Sequence, residues 1–223
     1  MRNNGAAHYE GESVLNILHC LAPEGYLRTA WYRSATDCLG PNKRFALWVQ
    51  GCERGCKGCI SPEMQSSTGG EVTPILDLAA YILRQRSVEG ITISGGEPFY
   101  QADRLAALLR QIKAVRPDFG VIVFTGFTHA ELLASGEPEI MELLAETDLL
   151  IDGVYKADLD DNQGLRGSSN QNYVFLTQRY CEEQLAKCRK NEVLLWVDSL
   201  RVVGIPTAAT KELLVRMTEG EIN

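Results

Sequence analysis

Apolar positions along this chain alternate between two rhythms. Short, near-continuous apolar runs suit buried strands. Between them, apolar residues recur every three or four positions, as on one face of a helix. Phe45–Val49 is a run of the first kind; it ends at Gln50-Gly51 and reads as a buried strand entering a loop. Ile75, Leu76, Ala79, Ile82 and Leu83 then follow at helical spacing, with Thr73 as the expected N-cap and Pro74 at the first helical position. Gly90 closes that pattern, and Ile91–Ser94 predicts the next strand. A helix over Ala102–Val115 puts Leu105, Leu108, Leu109 and Ile112 on one face and stops before Pro117. Val121–Thr125 reads as a strand. Thr128 and Glu131 are spaced as a capping box for a short helix. A second helix starts near Glu137-Pro138 and carries Ile140, Leu143 and Leu144, and Asp148–Asp152 is a further strand. Residues 153–172 read as a loop. After them come a strand (Tyr173–Thr177), a polar helix (Arg179–Arg189), a hairpin of Val193–Val197 with Leu200–Gly204, and a last helix from Thr207 or Thr210. The first dozen residues are polar, with a candidate strand at Ser13–Leu21 after them.

Repeated strand–helix units with apolar strands imply parallel crossovers buried on both faces. The expected fold class is α/β, and both an open sheet and a partial barrel fit the pattern. The chain has 223 residues, 45% of them hydrophobic, which suffices for a core without disulfides. Its 22 Lys and Arg against 29 Asp and Glu give a net charge of −7. No excess of cations exists to neutralise phosphates, so neither nucleic acid nor an anionic membrane surface is an expected partner. The longest apolar runs are strand-sized, so no membrane span is expected. With no signal peptide pattern, the expected location is cytoplasmic. Seven cysteines at irregular spacing cannot all pair as disulfides. Metal ligation, catalysis and simple burial remain as their uses.

The densest chemistry lies in Gly51-Cys52-Glu53-Arg54-Gly55-Cys56-Lys57-Gly58-Cys59, a C-x3-C-x2-C spacing just after a predicted strand. Its glycines let the backbone fold tightly enough to aim three sulfurs inward. Three thiolates on one loop can hold three irons of a [4Fe–4S] cluster and leave the fourth iron open to a small molecule. A closed ferredoxin cluster needs a fourth cysteine. A structural zinc site also needs a fourth ligand, and the histidines are His8, His19 and His129. Ser94-Gly95-Gly96-Glu97-Pro98 reads on its own as a strand-to-loop turn, and Leu165–Gln171 as a polar turn. Asp158–Gly164 fails as a calcium loop because its glycine comes one place late and Ser169 stands at position twelve; it reads as a solvated acidic loop. Cys20, Cys38, Cys181 and Cys188 read as buried or incidental thiols, the last two on one helix face. His129 is expected to be exposed in a first turn, and Trp31, Trp48 and Trp196 are expected to pack.

The cysteine spacing at the end of a first strand resembles the signature of the radical S-adenosylmethionine (SAM) family. The resemblance implies that Cys52, Cys56 and Cys59 are catalytic cluster ligands, with the SAM amino and carboxylate groups on the fourth iron. Reduction would then cleave SAM to methionine and a 5′-deoxyadenosyl radical that abstracts hydrogen. Ser94, Gly95, Gly96 and Glu97 are similar to the family's G-G-E motif and would hold the SAM ammonium group. Gly58 stands where most members carry an aromatic residue, as it does in the activating enzymes of anaerobic ribonucleotide reductase. Those usually place an aromatic after the last cysteine, where this chain has Ile60, and read G-P-G where it has Gly40-Pro41-Asn42. The stretches GPNKRFALWVQGC (Gly40–Cys52), ITISGGEPFYQ (Ile91–Gln101), VFTGFTHAEL (Val123–Leu132) and DLLIDGVY…LRGSSNQ resemble that activating-enzyme group in order over residues 38–175. By position the resemblance also places Thr125, Gly126, Asp152, Ser168 and Asn170 near SAM.

The implied fold is a partial parallel (βα) barrel of the radical SAM type. Its core would span 38–177, with an N-terminal extension (1–37) and a C-terminal helix, hairpin and helix (178–223) packed on it. The implied activity takes hydrogen from a glycine of a partner glycyl radical enzyme, with a flavodoxin- or ferredoxin-type protein as electron donor. One alternative keeps the chemistry but modifies a peptide or small molecule. Another, from a different class, is a non-catalytic iron–sulfur binding or electron-transfer protein.

Overall fold

The structure, a computed structural model, describes residues 25–195 and 200–218; the candidate strand Ser13–Leu21 and the hairpin turn at Asp198-Ser199 lie outside the described residues. In chain order the elements are β1 (Tyr26–Thr36), β2 (Arg44–Val49), β3 (Glu71–Pro74), α1 (Ile75–Arg84), β4 (Gly90–Gly95), α2 (Ala102–Val115) and β5 (Gly120–Phe124). They continue with α3 (His129–Ser135), α4 (Pro138–Glu146), β6 (Leu149–Asp152), β7 (Asn172–Phe175), α5 (Glu182–Leu185), β8 (Glu192–Leu195), β9 (Leu200–Val203) and α6 (Ala208–Thr218).

Seven strands form one sheet in the order β3-β1-β2-β4-β5-β6-β7, and β8 and β9 form a separate hairpin. β2, β4, β5 and β6 run parallel, as their apolar runs imply. Their C-terminal ends therefore share one edge. The outer strands run antiparallel: β1 on β2, β3 on β1 and β7 on β6. Residues 37–43 between β1 and β2 are too few for a parallel crossover, so the chain must turn back on itself.

Alternation along each strand sends side chains to two different layers. Phe45, Leu47, Ile91, Ile93, Val121 and Val123 join the inner faces of α1, α2 and α4 in one core. On the opposite face, Ile122, Leu149 and Ile151 meet Leu185, Cys188 and Ile205. Ala46 and Trp48 there meet Cys38 and Val203. Helices thus cover one face, and the C-terminal segment covers part of the other. Three buried leucines and one isoleucine of α2 alone contribute on the order of 8 kcal/mol of gross burial, at about 2 kcal/mol each. Conformational entropy offsets most of it.

Some expected boundaries move. Thr128 and Glu131 do form the capping box of α3. Pro74, not Thr73, is the N-cap of α1, because Thr73 pairs in β3 and its hydroxyl meets Thr29 Oγ1 at 3.0 Å. The polar helix expected over Arg179–Arg189 shrinks to the single turn Glu182–Leu185. Its ends are held elsewhere: Arg179 bonds Glu89 at 2.8 Å, and Arg189 donates to the Arg166 and Pro206 carbonyls. Cys181 and Cys188 therefore share no helix; Cys181 is exposed and Cys188 buried.

One charge is sunk at the start of the sheet. The Arg44 side chain is fully buried. Its Nε donates to Thr92 Oγ1 (2.7 Å), and its Nη1 to Glu89 Oε2 (2.6 Å) and to the Tyr180 hydroxyl (2.7 Å). Its Nη2 donates to the carbonyls of Ile91 (2.7 Å) and Gly120 (3.0 Å). All five N–H donors of a guanidinium are thus used, linking β2, β4, β5 and the segment before α5. Replacing it, as in Arg44→Met, leaves the two carbonyls without their buried donor. Unfolding in denaturant should then require about 3 kcal/mol less than for the wild type.

Candidate metal and cofactor site

The loops after β2, β4, β5 and β6 surround a cavity of about 710 Å³, a size suited to a small-molecule ligand. Cys52, Cys56 and Cys59 line it, as do Ser94, Gly95, Gly96, Glu97, Thr125 and Gly126. The cysteine loop is tied down at its root. Gly51 and Cys52 N–H donate to the Met64 and Gln65 carbonyls at 2.8 and 2.9 Å. The Gln50 amide donates to the Glu63 and Ser66 carbonyls. The chain that leaves the cysteines is thereby folded back beneath them.

The paired glycines answer to a close backbone approach. Gly96 N–H donates to the Val49 carbonyl (2.8 Å) and Glu97 N–H to the Gly51 carbonyl (2.9 Å). A Cβ on Gly95 would meet the Val49 carbonyl oxygen at 2.4 Å, and one on Gly96 would meet that of Gly51 at 2.3 Å. Gly95 also holds a φ of 108°, which side chains disfavour. Both residues are therefore needed to seat the 94–97 loop against the base of the cysteine loop.

Glu97 is buried, only 2% exposed. Its Oε1 accepts from Thr125 Oγ1 (2.7 Å) and Phe99 N–H (3.1 Å), and its Oε2 from Gly126 N–H (2.8 Å). Burial pushes its carboxyl above the ordinary range, and these donors pull against that. The carboxylate thus clamps the end of β4 to the end of β5.

Asp152, Ser168 and Asn170 do not line the cavity. Asp152 accepts from His129 N–H (2.7 Å) and Asn172 Nδ2 (2.9 Å), tying β6 to the start of α3. Ser168 Oγ accepts from Lys156 N–H, and Asn170 Nδ2 donates to the Val154 carbonyl. These side chains shape the 153–172 loop. Gly153, Tyr155, Gly167 and Gln171 of that same loop reach the cavity instead. Gln171 was hidden among polar neighbours: its Oε1 takes the Gly167 and Ser168 N–H groups, and its Nε2 donates to the Gly153 carbonyl.

A second wall comes from β9, the turn after it and α6, through Leu200, Val202, Ile205 and Leu214. Beside it Trp31 stacks on Trp48 at 4.4 Å, and the Arg201 guanidinium lies 4.7 Å over Trp31. Asp160 anchors this wall. Its carboxylate bonds Arg189 Nη2 (2.8 Å) and Lys211, and its side chain is only 5% exposed. The loop expected to be acidic and solvated therefore turns one carboxylate inward, because two C-terminal cations claim it.

The residues present suit an iron–sulfur cluster. Burial pushes the Cys52 thiol up to about 11, against the pull of the Arg54 backbone N–H, and burial also raises Cys56. A metal that takes up the charge offsets this cost, since the thiolate is the form that ligates. Among the described residues, no three Cys, His, Asp or Glu side chains converge as they would around a single metal ion. A four-iron cluster has no need of that, since each thiolate takes its own iron.

The pattern of a family described as "4Fe-4S single cluster domain" matches residues 38–174. The chain belongs to this family. Curated relatives named anaerobic ribonucleoside-triphosphate reductase-activating protein are similar to it over about six tenths of its length. That of Vibrio cholerae is 34% identical over 142 residues, which is 59% of this chain and 87% of the relative. That of Pasteurella multocida is 34% identical over 155 residues, covering 64% and 94%. That of Enterobacteria phage T4 is 29% identical over 137 residues, covering 59% and 83%. The resemblance to the activating-enzyme group is borne out. The family span holds β2 to β6 and the three cysteines, whereas β1, β8, β9 and α6 lie outside it.

Asp160 gives the second wall a pH signature. Burial opposes its charge, but Lys211, the Asn162 N–H and Arg189 outweigh this and hold its carboxyl below the usual range. A depressed folded-state pKa stabilises the fold above the unfolded value, near 3.9, and that stabilisation is lost as pH falls through the folded value. At neutral pH, Asp160→Asn should cost about 2 kcal/mol in denaturant unfolding. The gap between wild type and variant should close as pH falls below about 4.

Proposed function

We propose that this chain is a radical SAM activating enzyme, with a [4Fe–4S] cluster on Cys52, Cys56 and Cys59 and SAM beside it. One observation carries the reading: the three thiols, the Gly95-Gly96 backbone and the buried Glu97 clamp border a single cavity. The family match over residues 38–174 supports it. The sheet is then the partial (βα) barrel of that fold, with core 38–177 and an extension at each end. When bound, the reduced cluster supplies the electron that splits SAM into methionine and a 5′-deoxyadenosyl radical. The chain's own work is to bind, orient and exclude. Gly95 and Gly96 bring bare backbone to the ligand's ammonium group, and Ser94 lies at the same strand end. Thr125 and Gly126 hold the Glu97 carboxyl aligned next to them and oppose the effect of burial on its charge. Leu200, Val202, Ile205 and Leu214 shield the reacting centre from water, which a primary radical requires. The substrate is a glycine of a glycyl radical enzyme of the anaerobic ribonucleoside-triphosphate reductase type. A cytoplasmic flavodoxin- or ferredoxin-type protein supplies the electron. No described helix is long and apolar enough to cross a membrane.

Anaerobic reconstitution with iron and sulfide, then dithionite and SAM, should yield 5′-deoxyadenosine. No product and no SAM-dependent change in the cluster spectrum would leave only an iron–sulfur carrier. Cys56→Ala should lose most of the bound iron and the charge-transfer absorbance with it; full iron retention would remove that thiol from the ligand set. A second reading, a different peptide or small-molecule substrate, is favoured by the second wall, which lies outside the family span. Electron paramagnetic resonance of a candidate reductase after incubation separates the two. A glycyl doublet supports activation, and its absence alongside 5′-deoxyadenosine release supports the other substrate.

A further inference from the structure

The guanidinium of Arg54, on the cavity wall, makes no hydrogen bond or ion pair among the described residues. Arg54 stands between Cys52 and Cys56, and its guanidinium lies 4.3 Å over the Phe127 ring. Its Nε is buried and bonded to nothing. Among the described residues it enters no ion pair. Gly126 leaves the space it occupies: a Cβ there would come within 2.6 Å of Arg54 Cδ and Nε. The nearby carboxylate, Glu97, already accepts from three protein donors. Glu97 is thus saturated by its own fold, whereas Arg54 on the same cavity keeps a buried donor without an acceptor.

We propose that Arg54 receives the carboxylate of a zwitterionic α-amino acid ligand. Under the functional reading above, on which this rests, that group is the methionyl carboxylate of SAM. A buried guanidinium donor without an acceptor is costly, and a carboxylate is the acceptor that best matches its planar fork. Stacking on Phe127 fixes the plane of that fork before the ligand arrives, so little freedom is lost on binding. The Glu97 side of the cavity presents negative charge and backbone carbonyls to the ammonium end. The two charges then read the two ends of one amino acid. Placement within the cysteine loop puts this contact beside the thiols, where a ligand held against the open iron must present its carboxylate.

Equilibrium binding to anaerobically reconstituted protein tests this, with titrations normalised to bound iron. The probes are SAM and 5′-methylthioadenosine, which keeps the nucleoside and the S-methyl group, as a neutral thioether in place of the sulfonium, but lacks the amino-acid end. Arg54→Gln should weaken SAM by about tenfold, the loss of one charge-assisted contact, and leave 5′-methylthioadenosine unchanged. Arg54→Lys, which keeps the charge but not the fork, should fall between wild type and Arg54→Gln. Equal loss for both probes would overturn the proposal and make Arg54 a packing residue. Unchanged SAM affinity would also overturn it, even if the cluster's reduction potential shifts, since Arg54 would then act on the cluster alone. Wild-type protein that binds neither probe would bring down the functional reading itself, and this inference with it.

Discussion

A carboxylate buried at the C-terminal edge of the sheet sets the terms for everything around it. Glu97 has little water to turn to, and an unpaired charge there would be far too costly to keep. It must therefore draw donors from the protein, and it draws them from two strands. Phe99 N–H is local, whereas Thr125 and Gly126 come from the end of β5. The same loop presses Gly95 and Gly96 against the backbone of Val49–Gly51 at the end of β2. Three strand ends are thus fixed relative to one another by one charge and two missing side chains. The cysteine loop springs from that junction, so its position follows from this constraint together with the hydrogen bonds that fold residues 63–66 back beneath it.

Arg44 does the complementary task at the start of the same strands. It joins β2 to β4 and β5 through Thr92 and the Ile91 and Gly120 carbonyls. The strands between the two charges are almost wholly apolar and would tolerate a slip in register at little cost. Buried charges cannot tolerate one, because a shift leaves their donors or acceptors unmatched. Glu97 belongs to the cavity and Arg44 lies on the far side of the sheet. The stability of the register and the chemistry at its edge therefore rest on different residues.

What could be read in the sequence follows from how local its cause is. β2, β4, β5 and β6 are buried on both faces, so their apolar runs are continuous and unmistakable. The capping box at Thr128 and Glu131 closes within four residues. The glycine pair and the cysteine spacing are equally local, and all of them reach the cavity. β1 went unread because it is only half buried and carries Arg28, Thr29 and Arg33 among its apolar residues. The helix expected over Arg179–Arg189 was overruled by partners far along the chain, Glu89 and Pro206 among them. The same holds for the 153–172 loop, where Gln171 lines the cavity and Ser168 and Asn170 do not. In a polar loop, composition does not tell which side chain knits the backbone and which faces the cavity.

The cavity has two origins, and that division carries the remaining argument. Its polar side is built by residues 50–126 and lies inside the family span. Its apolar side is built from β9 to α6 and lies outside it. The two sides are locked together by a cluster that crosses the boundary: Asp160 with Arg189 and Lys211. Asp160 belongs to the loop that also presents Tyr155 and Gln171 to the cavity. A ligand resting on the second wall therefore touches a structure braced against that loop. Chemistry on the polar side need not change for the substrate to change. The second wall is the part that lies outside the family span, and its bracing holds it against the loop that reaches the same cavity from inside that span.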